Sequence, residues 1–463
     1  MPKSRPKNSG NAASGGSGVM ISQNAFIAAN RFGLGPRPGE LLALSGDPHT
    51  ALFEQLSSPV ASGAVPLSSA VIDAMRDLAT GRKDGTGSEA KKRLDDARLA
   101  FQNDRLARQV TSTAPFRERL ALFWSNHFSV TARKGGVGPL AFAMEREAIL
   151  PHVTGKFIDL ARAAILHPAM LIYLDLASAV GPQSERGGQR KRGLNENLAR
   201  EILELHTLGV DGGYTQDDIK ALAAILTGWR VNYGRRDQNQ GVADYGFDLP
   251  SHQPGAKTLL GTTIADGGED ETEAALKLIV GRPATARFIA TKLVRHFVAD
   301  DPPPAAVETI AATFVDSQGD LMKVYGALLG LDASWRDPLA KFKTPWDLAI
   351  STCRAFDTTD VFRSSRHLEG VLRQMGQQSF DAPSPAGWPD RTEAWLGPSA
   401  LLLRIALAER AAQLMAARTD VAALFENTIG VVASSSSRDI VLGAGSSEEA
   451  VTLLLASPEF QRR

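Results

Sequence analysis

The sequence predicts a mainly α fold: a large multi-helix globular domain of packed helical hairpins with one small β-hairpin near 243–261. Three observations predict it. Apolar residues recur three and four apart in segment after segment, which turns one side of a helix toward a core. Proline, glycine and capping side chains fall between those segments rather than within them. Extended, turn-bounded character is confined to 243–261.

The ordered part is expected to open at 22–30, after a polar tail over 1–20 that is too poor in apolar residues to fold. Gly33-Leu34-Gly35 follows no strand and lacks a third glycine at dinucleotide spacing, so it reads as a turn. Helices are expected over 40–56 and 89–110, then over 115–128 and 140–150. In 115–128 the stripe Phe116, Leu120, Phe123 and Trp124 is continued by His127, which therefore points inward, while Arg117, Glu118 and Arg119 take the other faces.

The segment 195–209 reads as a helix capped by Asn195 and stopped by Gly209. Leu198, Ile202, Leu205 and Leu208 form its apolar side, and Glu201 lies among those leucines. Glu196, Arg200 and Glu204 make an i, i+4, i+8 ladder, an ordinary explanation for Glu196 and Glu204 but not for Glu201. Asp211-Gly212-Gly213 then turns the chain, and Thr215 with Asp218 resembles a capping box opening a second helix to Leu226. The two make an αα-hairpin.

Within 243–261, Tyr245–Phe247 and Lys257–Leu259 are expected to pair around His252. Helices resume over 285–299, 305–316, 321–330, 346–356 and 399–417, and a last one is capped at Ser446. The stretch 377–397, with Pro383, Pro385, Pro389, Trp388 and Trp395, reads as an ordered aromatic loop placed to act as a lid. With 463 residues, 43% of them hydrophobic, the chain can bury a large core, and 21–463 is expected to be a single helical domain with mobile loops near 80–88, 180–193 and 232–241. No fixed-period repeat points to a solenoid.

Several function classes lose their support. Lysine plus arginine equals aspartate plus glutamate, 51 of each, which argues against a general nucleic-acid binder. The single cysteine, Cys353, excludes an internal disulfide and a cysteine-rich zinc site. Walker A, Gly-x-Ser-x-Gly, His-Glu-x-x-His and EF-hand patterns are absent. No secretory signal and no transmembrane run is present, so the chain as written is expected to be soluble and cytoplasmic.

Two classes remain open. One is a helical scaffold or partner-binding protein whose buried polar groups form a satisfied network fixing helix register. The other is a metal-dependent or acid–base enzyme with a pocket around Glu201 and His127. There Glu201 serves as general base or ligand, His127 as ligand or acid–base partner, and Arg200 orients a carboxylate. Asn197, His252, Lys257 and Trp388 are the candidate substrate-binding residues. His127, Glu201, Glu204 and His252 are the candidate ligands of a divalent metal.

Phe123-Trp124-Ser125-Asn126-His127-Phe128, the run from Asn195 through Gly209 to Thr215, and Thr227-Gly228-Trp229 resemble an uncharacterised bacterial family, domain of unknown function 1800. His252, Lys257, Leu260-Gly261, Lys292 to Phe297, Gly387-Trp388 and Ser457-Pro458-Glu459-Phe460 extend the resemblance over most of the chain. It implies a mainly helical bacterial protein and no particular reaction. It also implies a sulfatase-like protein encoded nearby as a partner, and frequent export of family members. This sequence departs from the last point in showing no export signal.

Overall fold

Proline sets many of the helix starts. In this computed structural model, which describes residues 20–59, 63–81, 86–188, 194–233, 242 and 244–463, Pro48, Pro115, Pro168, Pro283, Pro304, Pro345 and Pro398 each occupy the first turn of a helix. A first-turn residue has no intrahelical use for an N–H, and proline's fixed φ already suits the helix. The chain is mainly α, with only two small antiparallel strand pairs among the described residues.

Neighbouring helices pack as hairpins. Ser68–Gly81 lies on Gly87–Thr111, Pro283–Phe297 on Pro304–Asp316, and Asn197–Glu201 on Gln216–Ile225. Their apolar faces build two buried clusters. The larger runs from Ala25 to Leu329, centred on Phe116, Trp124, Phe157, Leu293 and Tyr325. The smaller joins Leu34, Leu106 and Val110 to residues from Trp346 to Phe460. No helix among the described residues is long and apolar enough to cross a membrane.

Several local expectations change. The 40–56 helix is two, Glu40–Ala43 and Pro48–Leu56, because Asp47 caps the second (Thr50 N to Oδ1, 3.1 Å) directly before Pro48. Strands Tyr245–Phe247 and Lys257–Leu259 exist but do not pair with each other. The first pairs with Trp229–Val231 and the second with Thr262–Ile264. Leu260 and Gly261, at φ 49° and 76°, make a two-residue turn that closes the second pair locally. Glu118 and Arg119 are buried, against the expectation that they face outward, because charged partners meet them inside.

The segment 195–209 also departs from a plain α-helix. Asn197–Glu201 is α-helical, but Ile202–His206 winds as a π-helix. The wider turn retards the phase, so His206 enters the core and Leu205 is only half-buried. Glu196, not Asn195, is the N-cap residue, and Asn195 Oδ1 instead accepts the Asn197 amide at 3.0 Å. The capping box of Thr215 and Asp218 is present in full. Residues 1–19, 60–62, 82–85, 189–193, 234–241 and 243 lie outside the described residues, and with them nearly all of the expected tail and part of each of the three expected mobile loops.

Candidate functional site

The residues singled out around Glu201 fall in three separate surroundings. Arg200 bridges Glu196 (3.3 Å) and Glu204 (3.4 Å) and also reaches Gln216 Oε1 at 3.1 Å. Glu201 is half-buried and has no hydrogen bond or ion pair among the described residues. Burial pushes its carboxyl up, Glu204 adds to this, and Arg200 opposes it. Asn197 is exposed.

His127 is in the core, where Nε2 donates to the His206 carbonyl at 3.0 Å. Its Nδ1 and both ring nitrogens of His206 are buried without partners among the described residues. Burial, with Lys292 nearby, holds both imidazoles far below their usual range, His206 at about 3.

His252 belongs to a third cluster. Its Nδ1 donates to the Thr227 carbonyl at 2.8 Å, and its Nε2 lies 3.1 Å from Glu271 and 3.2 Å from Lys257 Nζ. Lys257 Nζ is 2.7 Å from Glu271 Oε2. Ligand atoms of His252, Asp266 and Glu271 lie within 4.8 Å of one another, the spacing a metal needs. Here the ammonium of Lys257 already supplies the positive charge, and a divalent ion would have to displace it. Among the described residues no other trio of such groups is that close, so His127, Glu201, Glu204 and His252 are not brought together.

A cleft gathers a different set, and it opens at the seam of the two apolar clusters, with Phe123 from one and Trp346 from the other. Its volume is about 90 Å³, room for roughly three waters. Five segments build it: Arg105 on the helix Gly87–Thr111, residues 119–129, the end of Pro283–Phe297, residues 344–347, and residues 377–390.

His296 stands on its wall with Nδ1 2.7 Å from Asp390 Oδ2. Burial brings the imidazole to about 4, against the pull of Asp390, and His296 in turn helps hold Asp390 near 2. At neutral pH the pair is thus a neutral imidazole on a carboxylate. Nδ1 carries the proton and donates it, which leaves Nε2 as the acceptor. That Nε2 is shut from solvent and has no partner among the described residues.

Asp347 caps its own helix and also meets Arg119 Nη1 at 3.2 Å and Arg463 Nε at 3.3 Å, so its carboxyl lies well below the usual range. Arg105 stacks over Trp346 at 4.2 Å and is neutralised by Glu145 at 3.1 Å. The loop bearing Asp390 is fixed from both sides. Asn126 clasps the backbone of Trp388, and Lys341 Nζ donates to the Asp390 carbonyl at 2.9 Å.

Of the expected site residues, the cleft takes Trp388 alone. Asp390, Asp347, Arg119 and Lys343 carry no chemical motif in the sequence. Asp390 did have a signal, its place beside Trp388 in the proline-rich loop. Asp347 reads as the fourth residue of a Thr-x-x-Asp cap, and the cap hides its second role.

No curated protein and no solved structure matches the chain. A family described as "Protein of unknown function (DUF1800)" matches residues 27–462, nearly the whole length. The runs that line the cleft, from Phe123 to Asn126, at His296 and at Trp388, sit inside that match, and the chain belongs to the DUF1800 family.

Proposed function

We propose that this protein is an acid–base enzyme acting on a small polar molecule held in the cleft between Phe123, His296, Asp347 and Trp388. The observation that carries the reading is the His296–Asp390 pair at 2.7 Å on the cleft wall, with Nε2 unclaimed by any described residue. A carboxylate on Nδ1 fixes the tautomer and leaves the Nε2 lone pair, buried behind the cleft surface, to take a proton when side-chain movement on binding exposes it. Asp390 orients the ring, His296 moves the proton, and Arg119 with the amides of Gln377 and Gln378 supplies donors on the same wall.

The other buried polar groups support a structural role. Glu145 accepts from Arg105, Arg108 and Ser125, and Glu271 is met by His252 and Lys257. Such satisfied networks fix how helices meet.

The reading is tested by incubating wild-type and His296→Asn protein with a mixed metabolite extract and following it by mass spectrometry. A compound consumed by wild type and spared by a variant of equal thermal stability supports it. Identical extracts after both incubations, with both proteins folded, would leave the satisfied-network scaffold as the better account.

A further inference from the structure

We infer that the cleft binds its ligand through an anionic group, a carboxylate or a phosphoryl group, seated against the Arg119 wall. This rests on the reading of the cleft as a ligand site and adds the class of ligand.

The warrant is a surplus of buried positive charge. Around Asp347 and Asp390 the side chains of Arg119, Arg404, Arg463, Lys341 and Lys343 act on one another electrostatically. All five are at most 2% exposed. Against these five cationic side chains stand three side-chain carboxylates, Asp300, Asp347 and Asp390. Charge taken out of water without a counter-charge is expensive, so a cluster in which cationic side chains outnumber acidic ones is an unusual thing to bury.

Individual atoms show the same imbalance. Lys343 has no ion pair or side-chain hydrogen bond among the described residues, and its ammonium rests over the Phe460 ring at 4.2 Å. Arg463 Nη2 and Arg404 Nε are buried without hydrogen-bond partners among the described residues. Burial, only partly offset by Asp347, brings Lys343 down to about 7 and Arg119 and Arg404 to about 10.

The cleft is where a counter-charge can enter. Arg119 lines it directly, and the remaining cations act through a low-dielectric wall that screens them little. Gln377 and Gln378 give their oxygens to Trp346 N and Arg373 Nε, which leaves their amide N–H groups uncommitted at the same cleft. A space of about 90 Å³ suits one anionic headgroup and is too small for a whole nucleotide cofactor.

The test is calorimetry and thermal unfolding of the full chain with inorganic phosphate and with acetate, each matched against sodium chloride at equal ionic strength. Saturable binding of one probe is expected, and the probe that binds more tightly identifies the source. Asp390→Asn removes a nearby negative charge and is expected to tighten that binding roughly tenfold. Lys343→Met is expected to weaken it several-fold while raising the melting temperature of the ligand-free protein. Stability that tracks ionic strength alone, or saturable binding unchanged in both variants, overturns the inference. If Lys343→Met does not fold, Asp390→Asn decides by itself. His296→Asn separates this inference from the acid–base reading: it is expected to keep anion binding while consumption of metabolites stops. Full metabolite consumption by His296→Asn would remove the proton-transfer role and leave the anion site standing.

Discussion

Asn126 holds Trp388 by both of its backbone groups: its Nδ2 donates to the Trp388 carbonyl at 3.0 Å, and its Oδ1 accepts the Trp388 amide at 2.7 Å. This two-point clasp ties the end of one helix to a loop 262 residues later in the chain. It explains why Gly387 precedes the tryptophan. Gly387 has φ +82°, and a Cβ there would lie 2.4 Å from the Asn126 carbonyl oxygen. The clasp lies two residues before Asp390, so it sets where the carboxylate can meet His296.

Asn126→Ala should therefore loosen the loop rather than the helix. Losing two hydrogen bonds and leaving two backbone groups unpaired costs about 1–3 kcal/mol in folding. Hydrogen exchange should rise across the described residues 384–392 and stay unchanged in Pro283–Phe297. Uniform exchange with unchanged stability would mean the clasp is not what positions Asp390.

Acid should weaken the fold before Asp347 and Asp390 titrate. His127, His206 and His296 are buried neutral, with His206 at about 3 and His296 at about 4. In the unfolded chain each takes a proton near 6.5. Below that pH the unfolded state binds more protons, so stability falls as pH drops from about 6.5 toward 4, by up to about 1.4 kcal/mol per pH unit for each histidine. Asp347 and Asp390 are held low, so their stabilisation is present above about 4 and is lost only at lower pH. Urea midpoints between pH 7 and pH 5 check this, and His206→Gln should flatten the slope. A flat profile in the wild type would contradict the burial of neutral imidazoles.

The fold class was legible because helical periodicity and caps are local signals. Pro115 and the Phe116–Leu120–Phe123–Trp124 stripe predict Pro115–His127 to within a residue. The π-turn at Ile202–His206 was not legible, since no residue in Ile-Leu-Glu-Leu-His announces it, and it moved His206 rather than Leu205 into the core. Strand partners failed for a similar reason. Three-residue strands carry too little alternation to say which pairs with which, and Trp229–Val231, directly after the helix expected to Leu226, carries no extended signal of its own. The candidate site needed contacts between His296, Asp347 and Asp390, which lie far apart in sequence. Only Trp388 stood out beforehand, by composition.

Glu201 gives a sharp prediction because it lacks a hydrogen-bond or ion-pair partner among the described residues. Its carboxyl is raised by burial and by Glu204, which means that its ionised form costs stability where it is charged. Glu201→Gln removes that cost and should change folding by less than about 1 kcal/mol, in the stabilising direction near neutral pH. A loss above about 2 kcal/mol would reveal a bond that Glu201 makes and would return it to the list of functional carboxylates.

Glu271 should behave in the opposite way. It is 1% exposed and meets Lys257 at 2.7 Å and His252 at 3.1 Å. Glu271→Gln leaves the Lys257 ammonium, itself 7% exposed, without its counter-charge. Breaking one side of a buried pair costs about 3–5 kcal/mol, much of it from the charge left behind. Lys257→Met should cost a similar amount, for the mirror-image reason. The double variant Lys257→Met with Glu271→Gln removes both charges, so it should be less destabilised than the sum of the two by a few kcal/mol. Additive losses in denaturant unfolding would mean that the two groups do not depend on each other, and the internal-network role of this cluster would fall.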